Sequence, residues 1–157
     1  MIRCDPIGIC SWTFRLTGTT SDETATIRFR WVSEEGAIDT PRAHYQVAKL
    51  GMFSGTWQLE QDGAVVAVAR KRNPFLRRFE IEYDDRCAVL EAQTALSRVM
   101  MLSTPNAGGG YIAPAHPFTR RGTIEVVGIP FEIQCFAFWL TALTWRRDSS
   151  SDAGASA

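Results

Sequence analysis

The sequence predicts a mainly β (α+β) protein, an antiparallel β-barrel or strongly curved sheet wrapped around a hydrophobic C-terminal α-helix. Three observations carry that prediction. Residues 129–147 hold a stretch that is apolar on every side when wound as a helix. Most segments before it alternate apolar and polar residues with period two, and Gly, Pro and Asp signals punctuate them. With 157 residues, 45% of them hydrophobic and 22% charged, the chain suits one soluble domain with a sizeable core. That domain is expected to span residues 1–147, with a central helix over 130–147 and a disordered tail over 148–157.

Taken in order, residues 11–16 alternate, with Trp12, Phe14 and Leu16 on one side. Residues 27–31 do the same with Ile27, Phe29 and Trp31, so both read as strands with one buried face. Residues 17–26 are polar and contain Gly18, a loop; Glu34-Glu35-Gly36 and Asp39-Thr40-Pro41 are further breaks. Strands follow at 44–50 and 56–60, then Gln61-Asp62-Gly63 signals a hairpin, because Asp-Gly favours the positive φ angles of tight turns. Residues 64–69 are valine-rich and apolar on both faces, the pattern of a central strand. After the Asn73-Pro74 break, 77–83 alternates Phe79, Ile81 and Tyr83 with Glu80 and Glu82. Asp84-Asp85-Arg86 turns the chain into a return strand at 87–92. Residues 95–103 fit strand or helix, 104–110 is a glycine-rich loop, and 111–113 and 123–127 are short strands. The count is nine or ten strands.

The helix needs an enclosure. Pro130 suits its first residue, Glu132 its positive end, and Arg146 and Arg147 its negative end. Its charge-free run covers only residues 133–145 and includes Gln134, Thr141 and Thr144. A bilayer crossing takes about 20 apolar residues, so protein rather than lipid is the expected surround, and a tail anchor is disfavoured. About sixteen helical residues measure roughly 24 Å, close to the length of seven-residue strands, so a modest barrel can sheathe them.

Several segments in order are Trp57-Gln58-Leu59-Glu60, Gly63 with the valine strand, Arg77-Arg78-Phe79-Glu80-Ile81, Val89-Leu90-Glu91-Ala92, and the helix ending Trp145-Arg146-Arg147. This order resembles the tubby-like β-barrel superfamily, which includes the tubby C-terminal domain, plant LURP-one-related proteins and phospholipid scramblases. The resemblance covers residues 43–147. It implies a closed antiparallel barrel, typically of twelve strands, threaded by the terminal helix. It also implies that Trp57, Phe79, Ile81, Tyr83, Ile124 and Val126 face that helix, and that basic residues recognise phosphoinositide headgroups.

The strongest local feature is basic. Arg70, Lys71 and Arg72 face Arg77 and Arg78 across a turn carrying Phe75 and Leu76. Five cations around an apolar turn suit an anionic membrane surface, with the apolar pair dipping into the interface. The plainer reading is a solvated turn charged for solubility. Arg120 and Arg121 form a second pair; Arg146 and Arg147 are expected to satisfy the helix C-terminus. Formal net charge is zero, so no global field draws nucleic acid. In residues 27–31 the arginines and aromatics alternate onto opposite faces, which argues against nucleic-acid stacking.

Catalysis finds no support in the motifs. His44 and His116 are the only histidines, and Cys4, Cys10, Cys87 and Cys135 show no metal-ligand spacing. No Gly-x-Ser-x-Gly elbow occurs, and residues 106–110 lack the Lys of a phosphate-binding loop. No cofactor and no metal are expected. Cys87 and Cys135 read as small hydrophobes, while Cys4 and Cys10 are near enough in sequence to pair. The N-terminal residues lack the apolar run of a signal peptide, so the expected location is cytoplasmic, peripheral at a membrane if the basic hairpin binds one. The expected function is non-catalytic binding of an anionic phospholipid headgroup or a protein partner through Arg70, Lys71, Arg72, Arg77 and Arg78. The alternative is a small-ligand-binding protein or enzyme with a cleft at one barrel end.

Overall fold

A computed structural model describes residues 1–106 and 108–154. Twelve strands close into an antiparallel barrel in chain order. They are β1 (Ile2–Pro6), β2 (Thr13–Thr17), β3 (Thr24–Phe29), β4 (Gly36–Asp39), β5 (His44–Lys49) and β6 (Thr56–Gln61), then β7 (Ala64–Arg70), β8 (Arg78–Tyr83), β9 (Arg86–Ala92), β10 (Met100–Ser103), β11 (Gly109–Pro114) and β12 (Gly122–Val127). The ring shuts where β1 pairs with β12, at Ile2 with Ile124, Arg3 with Thr123 and Cys4 with Gly122. Closure leaves no edge strand to solvent. The helix α1 (Phe131–Gly154) fills the interior.

Inward residues follow strand parity. Phe14, Leu16, Ile27, Trp57, Leu59, Phe79, Ile81 and Leu90 are fully buried, and the helix is buried on every side from Ile133 to Trp145. Trp57, Phe79, Ile81, Tyr83 and Ile124 join this core as the parity predicts, with Val126 packed against it. Aromatic rings interlock strand and helix: Phe138 stands edge-on to Phe14 at 5.2 Å, and Phe29 stacks on Trp139 at 4.6 Å. Three polar side chains of the helix are satisfied locally, whereas the buried Trp139 Nε1 has no hydrogen-bond partner among the described residues. Gln134 donates to Ile129 O at 2.8 Å, Thr141 to Ala137 O at 2.9 Å and Thr144 to Thr141 O at 2.7 Å.

Several strands differ from the sequence reading. β1 and β4 are additional, and residues 95–103 resolve into a loop followed by β10. β3 begins at Thr24 and ends at Phe29, so Trp31 lies in a loop and is exposed instead of facing the core. The valine strand β7 turns one face inward only: Ala67 and Ala69 are buried, while Val65 is exposed. Each buried alanine sits beside a bulky partner, Ala69 opposite Trp57 and Ile81 and Ala67 opposite Leu59, so the small residues make room for the large. Both faces of β7 are apolar because its outer face is simply valine-rich. A β-bulge between Leu59 and Glu60 shifts the register beside it.

The hairpin turns follow their chemistry. Asp62 and Gly63 take φ of 51° and 78°, and Asp84 and Asp85 take 44° and 55°, the left-handed pairs that two-residue hairpins require. At Gly36 the helix comes close: a Cβ there would lie 2.0 Å from Arg28 O and 2.7 Å from Trp139 Nε1, so only glycine fits. The helix also outruns the expected stop at Arg147 and continues to Gly154. Composition alone marks 148–157 as a disordered tail. Over 148–154 this is corrected, since Ser149, Ser150 and Ser151 donate to the carbonyls of Trp145, Arg146 and Arg147 one turn back. Residues 155–157 lie outside the described residues.

Candidate functional site

An up-and-down meander sends every second loop to the same end of the barrel. Loops 7–12, 30–35, 50–55, 71–77, 93–99 and 115–121 therefore gather at the far end, where the helix emerges. Loops 18–23, 40–43, 62–63, 84–85 and 104–108 gather at the near end, where the helix begins. The two ends carry opposite charge. Far-end loops contain seven arginines and lysines against Glu34 and Glu35, with Arg146, Arg147 and Asp148 of the helix beside them. Near-end loops contain five acidic residues against Arg42 alone. The chain's zero net charge conceals this separation.

The basic hairpin of the sequence reading sits at the far end but is divided by strand parity. Arg70, Arg72 and Arg78 lie along the outer wall and pair with Glu82, Glu80 and Glu91 at 2.8, 2.8 and 2.9 Å. Arg77 turns toward the helix, reaching Asp148 at 3.0 Å and Ser97 O at 3.2 Å. Lys71 folds over the rim above the Phe79 ring, 5.9 Å from its centroid. Burial pulls the Lys71 ammonium below its ordinary pKa, and the neighbouring Arg147 and Arg77 charges pull the same way. Phe75 and Leu76 stand exposed on a turn fixed by the Phe75 amide donating to Asn73 Oδ1 at 2.9 Å.

Around the rim the cations hold the loops to the barrel. Glu34 accepts from Arg147 Nε at 2.7 Å and pairs with Lys49, and both cations lie over the Trp57 ring at 5.6 and 5.5 Å. Arg146 donates to Trp31 O at 2.6 Å and Arg30 O at 3.2 Å. Arg120 donates to the carbonyls of Gly8, Ile9 and Ser11, and Arg98 to that of Pro117. The expectation that Arg146 and Arg147 satisfy the helix C-terminus is thus corrected. The helix runs on past them, freeing both to tie down loop 30–35. Arg121 remains largely exposed, 3.7 Å from Asp5.

Of the site residues, the sequence singles out the hairpin and the two arginine pairs, assigns Arg30 only to a solvent-facing strand side, and gives no binding signal at Glu34, Lys49 or Arg98. Arg30 and Glu34 share loop 30–35, Lys49 ends β5 and Arg98 lies in loop 93–99, and only the parity of hairpins around the meander could have grouped them. A cleft of about 330 Å³ at this end is lined by Trp12, Phe29, Trp31 and Arg146, with Ser149 and Ser150. It offers rings, hydroxyls and guanidinium groups. A second hollow of about 360 Å³ lies under the hairpin between Arg70, Arg72, Leu76 and Arg78.

Among the described residues, no three His, Cys, Asp or Glu side chains form a group able to hold a metal ion. His44 pairs with Asp39 at the near end, and His116 accepts from the Phe118 amide at the far end, so the histidines do not meet. The cysteines are free: Cys4 and Cys135 are buried, whereas Cys10 and Cys87 are exposed. Cys4 therefore does not pair with Cys10, and Cys87 lies on the outer wall and not in the core. Among the described residues, no helix is long and apolar enough to cross a membrane. No protein family matches this chain, and no curated protein and no solved structure does.

Proposed function

We propose that this chain is a non-catalytic binding module that docks on an anionic phospholipid surface through the basic end of its barrel. The observation that carries the reading is the charge separation along the barrel axis of a chain with no net charge. A basic end approached by anionic lipid and an acidic end repelled by it orient the molecule before contact. The ion pairs of Arg70, Arg72 and Arg78 are exposed, and such pairs contribute only about 0–1 kcal/mol, so their guanidinium groups can exchange carboxylate for phosphate at little cost. The interior is filled by its own helix, which leaves ligand recognition to the rim. The twelve strands and the threaded helix support kinship with tubby-like barrels and, with it, a headgroup-binding role. Four free cysteines suit a reducing cytoplasm, with the protein peripheral at the membrane.

Vesicle flotation tests the proposal. The chain is expected to float with vesicles containing phosphatidylserine and to stay behind with phosphatidylcholine alone, less tightly as salt rises. Each cation near an anionic surface contributes about 1 kcal/mol, so the double variant Arg70→Gln, Arg72→Gln should bind roughly thirtyfold more weakly with its fold unchanged. Equal affinity for neutral and anionic vesicles, or no binding to either, would refute the proposal.

A further inference from the structure

Resting on that lipid-binding reading, we propose that the far end inserts a ring of apolar loop tips into the bilayer interface, so that the barrel stands upright on the membrane. Each of the six far-end loops holds a large apolar side chain in solvent. Ile9, Trp31, Phe53, Phe75, Leu96 and Phe118, one from each loop, are 76% to 95% exposed. Among the described residues, the five inter-strand loops of the near end contribute no large exposed hydrophobic. Single exposed apolar residues are ordinary on any surface. One in every loop of one end, and that end the basic one, makes a pattern.

Arginines hold four of the six tips in place. Arg120 grips the Ile9 carbonyl, Arg146 that of Trp31, Arg77 that of Ser97 beside Leu96, and Arg98 that of Pro117 beside Phe118. The same guanidinium groups that fix the tips form a cationic collar one layer behind them. Apolar residues at the front and cations behind match the order of acyl chains and anionic headgroups met on entering a bilayer. The tips are also spread widely. Twelve strands about 4.8 Å apart and tilted by about 40° enclose a barrel roughly 24 Å across. Protein partners draw their affinity from a packed central cluster. A fluid interface accepts separated tips one by one, and lipid is therefore the occupant this surface fits.

The test uses the full chain with vesicles of phosphatidylcholine plus phosphatidylserine, some brominated in the acyl chains. Trp31 is the exposed indole, so its fluorescence should shift to the blue and be quenched by the bromines, and Trp31→Phe should abolish that component. The triple variant Phe53→Ser, Phe75→Ser, Phe118→Ser should bind at least tenfold more weakly and be displaced fully by salt. Val127→Ser, at the near end, should bind like the natural chain. Anionic-vesicle binding that survives the triple substitution, or bound protein with an unquenched Trp31, would overturn insertion while leaving the electrostatic docking reading intact. Failure of the natural chain to bind anionic vesicles at all would overturn both.

Discussion

Replacing Phe138 with alanine tests the architecture at its centre. The ring is fully buried, edge-on to Phe14 at 5.2 Å and to Trp145 at 6.0 Å. Removing a buried phenylalanine forfeits about 1.5–3 kcal/mol of transfer free energy. The lost volume, on the order of 100 Å³, adds up to about 2.4 kcal/mol if the cavity stays open, at ~24 cal/mol per Å³. Wall residues above and below belong to a closed ring of strands, which limits how far they can collapse. The expected loss is therefore about 4 kcal/mol, within the range of about 3–5 measured for such truncations. A urea titration reads it. With an m value of about 2 kcal/mol/M, the midpoint should fall by roughly 2 M with the slope unchanged. Phe138→Asp should abolish the cooperative transition, because a lone carboxylate would be left in an apolar interior. Phe53→Ala, at a fully solvated loop tip, should stay within about 0.5 kcal/mol of the natural chain. A midpoint shift below about 0.5 M for Phe138→Ala would mean that the helix does not occupy the barrel.

Two further outcomes follow from the rim and the core. Burial pushes the Glu34 carboxyl up, but hydrogen bonds and charge from Lys49 and Arg147 together outweigh it and hold the group below its ordinary value of 4.5. A carboxyl held lower in the folded chain stabilises the fold above that ordinary value, and the contribution fades as pH falls through the folded-state pKa. Glu34→Gln should therefore destabilise the protein at neutral pH, and its gap from the natural chain should narrow below about pH 4.5. A gap that stays constant from neutral to acid in thermal unfolding would show that the Glu34 network contributes nothing. In the core, burial pushes the Cys4 and Cys135 thiols well up, whereas Cys10 and Cys87 are exposed. An Ellman titration of the native protein should count two fast thiols and release the other two only on unfolding. Four fast thiols would place Cys4 and Cys135 outside the core.

For the candidate site, sequence reading found the cations and not their arrangement. The sequence groups Arg70, Arg72 and Arg78 with Lys71 and Arg77 in one basic hairpin, yet it is silent on their pairing with Glu82, Glu80 and Glu91, which reach them from adjoining strands. Arg146 and Arg147 looked like a helix terminus because the serines that follow are polar. In the structure the helix runs on through them to Gly154, their hydroxyls donating to carbonyls one turn back, so the two arginines serve the rim.

The all-round apolar helix, the Asp-Gly turn and the alternating strands were determined by local sequence, because 3.6-residue and two-residue periods are written into consecutive side chains. β1 and β4 escaped, β4 being only four residues long. β1 is held between β2 and β12, the latter a partner more than a hundred residues away, and β4 pairs with β3 and β5 where Gly36 lets Trp139 of the helix approach. Only closure of the ring decided which loops share an end. That step sorted a neutral chain into a basic, apolar-tipped face and an acidic one, since neighbours around a barrel are set by strand pairing and not by distance along the chain.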